Sequence, residues 1–256
     1  MRILLWTLAW GWVGSMAWAQ EVSARLELEG RLWGPTLTAY ARTAVADRLA
    51  TDVDLKRDLG VSDRRFPEAR LTWSIGRKHR LRLAYTAIDY QGDRVVQTTV
   101  RFRGRTYEFG TRVASAFRLR YLRFGWTWRL IDLGDGVVRL EPLLDLKGLR
   151  AEGSLTTPDL PVPVSAARTW WAGAPTPGAA LEVQPSDWIG MFAEISGLPV
   201  GSYGAFWDWE VGVQVTPVRY LRLSGGYRYL HGRAESGTDF VRVTLAGPFL
   251  AAALRF

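Results

Sequence analysis

Apolar and polar residues alternate along much of this chain, and the period is two. In 220–229 (YLRLSGGYRY), Leu221, Leu223, Tyr227 and Tyr229 share one face, while Arg222, Ser224 and Arg228 share the other. In 205–215 (AFWDWEVGVQV), Trp207, Trp209, Val211, Val213 and Val215 oppose Asp208, Glu210 and Gln214. Residues 80–87 set Leu81, Leu83, Tyr85 and Ala87 against Arg80, Arg82 and Thr86. Residues 139–147 set Leu140, Pro142, Leu144 and Leu146 against Arg139, Glu141, Asp145 and Lys147. Such alternation marks strands whose two faces meet different surroundings. Short turn candidates at 76–78, 132–136, 185–187 and 216–218 alternate with longer polar connections at 46–65, 91–110, 153–168, 201–204 and 233–239. Ten strands are predicted between them: 31–45, 66–75, 79–90, 111–131, 137–152, 170–184, 188–200, 205–215, 219–231 and 238–256. The expected fold is all-β, an antiparallel up-and-down transmembrane β-barrel with short turns at one end and long loops at the other. Eight or twelve strands are the neighbouring alternatives. A soluble β-sandwich with one wet face is the competing architecture.

The last stretch, 238–256, ends on an aromatic residue, and Leu250, Ala252, Leu254 and Phe256 line one face. It resembles the closing strand of bacterial outer-membrane barrels. That resemblance makes Leu250, Leu254 and Phe256 an assembly signal and the outer-membrane assembly machinery a partner. Earlier in the same strand the apolar residues Val241, Val243 and Leu245 are odd-numbered. A β-bulge near Gly247-Pro248 is expected to reconcile the two phases. A similar change of face is expected around Tyr121-Leu122.

Residues 1–19 begin with one basic residue, Arg2, followed by an apolar run and Ala17-Trp18-Ala19. That is the pattern of a cleaved secretory signal, leaving 20–256 as a single barrel domain. No later stretch reaches the roughly 20 apolar residues that a membrane helix needs. The chain has 0 Cys, which excludes a disulfide framework and a lipoprotein anchor. Its 13 Trp, 9 Tyr and 10 Phe suit the aromatic girdles of a membrane barrel. A net charge of +8 raises the question of nucleic acid, but no nucleic-acid motif is present. Outer-membrane lipid and the phosphates of lipopolysaccharide are the expected partners of the basic surface. The expected location is the bacterial outer membrane.

The inward faces carry the candidate chemistry. Basic candidates are Arg70, Arg80, Arg82, Arg123, Arg129, Arg222, Arg228 and Arg242. Acidic ones are Glu141, Asp145, Glu182, Glu194, Asp208 and Glu210. A narrow barrel brings these walls together as a lumen charge network, because charges removed from water need partners. His79 is placed at a turn and His231 near the outer rim, the latter followed by Glu235, Ser236 and Asp239. No serine stands at a recognisable catalytic spacing, so no catalytic residue is assigned and no enzyme is expected. No metal or cofactor site is assigned either; the acidic pair Asp52 and Asp54 lacks the glycine and distal glutamate of a calcium loop. Trp170-Trp171 is read as part of an interfacial belt, with a stacking platform for sugar or lipid as the alternative.

The stretch TDVDLKRDLG at 51–60 and RKHRLRLAY at 77–85 resemble a recurrent pattern in a poorly characterised family of Gram-negative outer-membrane barrels. Asp52, Asp54, Asp58, Leu59, Gly60, His79, Arg80, Leu81 and Tyr85 carry the likeness. The resemblance implies fold and location and brings no activity. The functional expectation is a structural or surface-binding envelope protein with a charge-filled lumen. A narrow pore or carrier, and a rim enzyme acting on lipid A or peptides, are the alternatives. No ligand is named by the sequence.

Overall fold

The structure is a computed structural model. It describes residues 25–42, 53–54, 56, 60–95, 100–102, 105–107, 110–134, 137–159, 165–199, 201, 204–236 and 239–256. The signal segment at 1–19 lies outside the described residues. Among the described residues fifteen strands are formed: β1 (Arg25–Trp33), β2 (Thr36–Arg42), β3 (Val53–Asp54), β4 (Phe66–Ile75), β5 (His79–Val95), β6 (Val100–Phe102), β7 (Arg105–Tyr107), β8 (Arg112–Trp128), β9 (Ile131–Leu133), β10 (Val138–Thr156), β11 (Ser165–Ser186), β12 (Ile189–Pro199), β13 (Gly204–Val218), β14 (Leu221–Ser236) and β15 (Asp239–Arg255).

Sequential antiparallel pairing runs from β1 through β4, β5, β8 and β10 to β15, and β15 pairs back onto β1. The ring is therefore closed, with β1 and β2 acting as one broken stave of a ten-stranded barrel. Closure leaves no stave without a neighbour on either side, as lipid demands. Each predicted strand has its counterpart, and 66–75 coincides with β4. β10 and β11 are longer than predicted, at 19 and 22 residues. At a tilt near 45° only about 9–11 residues are needed to cross hydrocarbon, so this hairpin stands well above the membrane.

The break between β1 and β2 falls at Gly34-Pro35. There Trp33 Nε1 donates to the Gly247 carbonyl at 3.2 Å, and the Gly34 amide to the Pro248 carbonyl at 2.9 Å. A Cβ on Gly247 would lie 2.1 Å from the Gly34 oxygen, so this crossing of two backbones requires glycine.

The expected bulge near Gly247-Pro248 is absent. β15 keeps one register against β14 from Leu221↔Leu254 to Ser236↔Asp239. Tyr121-Leu122 also sits in an unbroken register with both neighbours. The odd residues of β15 from Val243 to Ala253, and those of β8 from Val113 to Thr127, point inward without a change of phase. Val243 and Leu245 look misphased only because the loop-side half of the interior is apolar. Trp33, Leu37, Phe66, Ile88, Tyr90, Val113, Leu119, Tyr121, Leu155, Leu230, Leu245 and Phe249 form a buried plug there. Ring centroids of Phe192 on β12 and Phe249 on β15 stand 6.3 Å apart across the lumen.

The outer face carries an exposed apolar belt, including Leu28, Leu83, Phe124, Leu144, Ile195, Val213 and Leu250. Aromatics border it. Trp126 and Trp128 pack at the turn end beside His79, and Trp209, Tyr229 and His231 stack towards the loop end. Leu250 and Leu254 face outward on β15, and Phe256, one residue past its end, is exposed as well, close to the seam with β1.

Candidate functional site: the lumen

Below the plug, towards the short turns, a layer of charges crosses the barrel. Arg31 Nη1 donates to Glu210 Oε2 at 2.7 Å, joining β1 to β13. Arg70 Nη1 reaches Glu210 Oε1 at 3.1 Å, and its Nη2 reaches Glu68 Oε1 at 3.1 Å. Glu68 also accepts from Thr86 at 2.7 Å and pairs with Arg228 of β14. Arg228 grips Asp208 with two parallel bonds, at 3.1 and 3.0 Å. Asp208 takes a third bond from the Tyr121 hydroxyl at 2.9 Å. From there Lys147, 3.5 Å from Asp208, donates to Ser196 Oγ at 2.7 Å, and Ser196 donates to Asp145 at 3.0 Å. Arg123 donates to Asp145 at 2.7 Å and also binds Glu194. Arg82 closes the chain on Glu194 at 2.7 Å.

The layer holds six cations, Arg31, Arg70, Arg82, Arg123, Lys147 and Arg228. It holds six carboxylates, Glu29, Glu68, Asp145, Glu194, Asp208 and Glu210. Charge is thus balanced in a region removed from bulk water, the condition under which burial of ions is tolerable. Aromatic rings roof the layer. The Arg31 guanidinium lies 3.9 Å from the Phe249 centroid, and that of Arg228 lies 5.0 Å from Trp33.

Of the sequence candidates, Arg70, Arg82, Arg123, Asp145, Glu194, Asp208, Glu210 and Arg228 lie in this layer. Arg80, Glu141 and Glu182 form a looser group nearer the turns, with Arg80 at 3.5 Å from each carboxylate. Arg222 pairs with Glu27 at 3.1 Å near the same mouth. Arg129 sits at the turn end, 3.2 Å from Asp132 of the adjoining β9, and does not cross the lumen. Arg242 is a correction: it is an even-numbered residue of β15, opposite Arg233 and Tyr40 in register, and it faces outward and exposed. The phase change that would have turned it inward does not occur. Sequence reasoning missed Glu29, Arg31, Glu68 and Lys147 as members. Glu68 shares parity with Arg70, and Lys147 shares parity with Asp145, which was the available signal. Glu29 was hidden because the first strand begins earlier than predicted, whereas Arg31 opened the predicted strand 31–45 and was not assigned to the inward face.

At the turn end the lumen opens into a cavity of about 1860 Å³. Neither histidine enters it deeply. Trp126 Nε1 donates to His79 Nδ1 at 3.3 Å on the outside of the turn end. His231 faces outward, with Nδ1 2.9 Å from Thr244 Oγ1 and its ring 6.1 Å from Tyr229. Among the described residues no group of three or more His, Asp or Glu is arranged to hold a metal. Asp52 lies outside the described residues. Trp171 is 72% exposed on the outer face, with the Arg150 guanidinium 4.8 Å from its ring, as in an interfacial belt.

No family model matches the chain, and no curated protein does. Solved structures do. The outer membrane protease OmpT from Escherichia coli aligns over 91% of this chain and 97% of its own, at 7% identity and TM-score 0.61. The translocator domain of the autotransporter NalP from Neisseria meningitidis aligns over 93% and 90%, at 12% identity and TM-score 0.46. An exposed apolar belt around a closed barrel requires a bilayer. The chain is an outer-membrane β-barrel. At 7% identity the likeness to OmpT is one of fold alone.

Proposed function

We propose that this outer-membrane barrel is a non-enzymatic envelope protein, structural or surface-binding, whose lumen is held shut from within. The observation that supports it is the balanced layer of six cations and six carboxylates, linking eight of the ten staves beneath an apolar plug. A barrel of eight strands is filled by side chains, and open channels appear near sixteen, so ten staves are readily closed. The surface role has its own support. Just beyond the apolar belt, Arg118, Arg120, Arg150, Arg233 and Arg242 face outward on β8, β10, β14 and β15. That is the level of outer-leaflet headgroups, where guanidinium groups bind phosphate in bidentate fashion. Lipopolysaccharide is the partner these two basic patches fit. The assembly role of Leu250, Leu254 and Phe256 belongs to the same proposal and rests on their exposed position at the seam.

Single-channel recording in planar bilayers tests the closed lumen. The wild-type barrel is expected to be silent. Arg228→Ala together with Phe249→Ala, which opens both layers at once, is expected to produce discrete conductance steps. Steady wild-type conductance would replace this proposal with the pore or carrier.

A further inference from the structure

The ring of staves is closed, but one seam in it stops short. Among the described residues, β11 pairs with β12 from Ser186↔Ile189 to Gly178↔Ser196 and no further. β11 nevertheless starts at Ser165 and β12 runs on to Pro199, so 165–177 of β11 and 197–199 of β12 have no ladder between them. Three prolines mark these facing edges. β11 stays in unbroken register with β10 through Pro175 and Pro177. Alternate residues of an antiparallel strand donate to alternate sides, and proline has no N–H, so the donors missing at 175 and 177 belong to the β12 side. Pro199 has the parity of Ile195, which pairs with Ala179, so its missing donor faces β11. Prolines at an open edge leave fewer N–H groups unsatisfied in hydrocarbon.

The gap lies at the depth of the apolar belt. Pro177 and Pro175 are exposed on the outer face beside Leu144 and Leu146, and the exposed Trp171 marks its upper limit. On the other bank the Trp207 ring lies against Gly197, where a Cβ would collide with it. Thr176 and Ser196, both fully buried, close the floor. Behind the gap the wall is apolar and incompletely covered. Leu149 and Ala151 of β10 and Phe206 of β13 are only partly buried against the plug. β11 adds the methyl groups of Ala172 and Ala174, which share the inward parity of Thr176; Ala172 is exposed and Ala174 half-buried.

We propose that this gap is a lateral portal that admits one acyl chain of a lipid in the surrounding leaflet, which lies against Leu149, Ala151 and Phe206. What meets an opening at this depth is hydrocarbon, and the wall behind it is apolar. The methyl-lined bank of β11 leaves room that larger side chains would fill. The chain cannot pass on to the turn end, because the plug and the balanced charges lie across the barrel. The lipid is therefore a bound ligand, its head group held outside at the level of Trp171. The portal rests on the place of the barrel in the bilayer. It depends neither on the arginine patches nor on the lumen being silent in conductance.

The test is photolabelling of the full barrel in phosphatidylcholine vesicles that contain a phosphatidylcholine with a diazirine midway along one acyl chain. Adducts are mapped by digestion and mass spectrometry. In the wild type they are expected at outward Leu144, Leu146 and Ile195, and also at inward Leu149, Ala151 or Phe206. Leu119 and Leu245, deep in the plug, should stay unlabelled. Ala174→Trp sets an indole in the gap and is expected to lower the inward adducts roughly tenfold relative to the outward ones. Ala174→Leu serves if the larger residue prevents folding. Adducts confined to the outward residues would overturn the portal while leaving the membrane belt in place. Missing adducts at Leu144 and Leu146 as well would sink the belt and the portal with it. Inward labelling undiminished in a folded Ala174 variant would mean another route, and so overturn the proposal. Inward labelling by a free adamantyl diazirine but not by the lipid would assign the space to a small apolar solute, again against the acyl chain.

Discussion

Replacing Asp208 with alanine removes the residue on which the buried layer turns. Its carboxylate receives two bonds from Arg228 and one from Tyr121, and lies 3.5 Å from Lys147 and 3.9 Å from Arg123. Arg228 is left with Glu68 alone, the Tyr121 hydroxyl loses its acceptor, and the layer carries six cations against five carboxylates. Removing one partner of a buried ion pair costs about 3–5 kcal/mol, because the remaining charge cannot return to water. Urea unfolding of the barrel in lipid vesicles, followed by tryptophan emission, reads this loss. With a slope of about 2 kcal/mol per molar urea, the midpoint should fall by roughly 2 M at unchanged slope. Asp208→Asn keeps an acceptor for Tyr121 and should fall between the two. Asp132→Ala, which breaks the exposed pair with Arg129, should shift the free energy by under about 0.5 kcal/mol. If Asp208→Ala cost no more than Asp132→Ala, water would be reaching the layer and the sealed lumen would be wrong.

Two further outcomes follow from packing. Gly247→Ala places a Cβ 2.1 Å from the Gly34 oxygen and should destabilise the barrel by about 1–3 kcal/mol, seen as a lowered urea midpoint. Leu245→Ala, at a fully buried position of the plug, should cost about 2–5 kcal/mol in the same assay, whereas a lipid-facing residue there would cost far less.

The strands were legible because lipid imposes one strict demand: outward residues must be apolar on every stave. Leu221, Leu223, Tyr227 and Tyr229 met that demand, and so did Trp207 to Val215. The inward face obeys no single rule. In the turn-side half it is charged, so parity separates Arg228 and Asp208 from their neighbours at a glance. In the loop-side half Leu245, Val243 and Leu119 make it apolar, and the alternation fades. The expected bulge and the inward placement of Arg242 both came from reading that fading as a change of phase. Partnerships across the lumen were not legible at all. Arg31 and Glu210 are 179 positions apart, and only the closing of β15 on β1 brings their walls together.

The plug and the cavity at the turn end divide the interior unequally, and this makes the molecule a cup rather than a tube. A cup exchanges its contents with one compartment only. Whatever enters that space comes from, and goes back to, the side on which the short turns lie, whatever the concentration beyond the far rim.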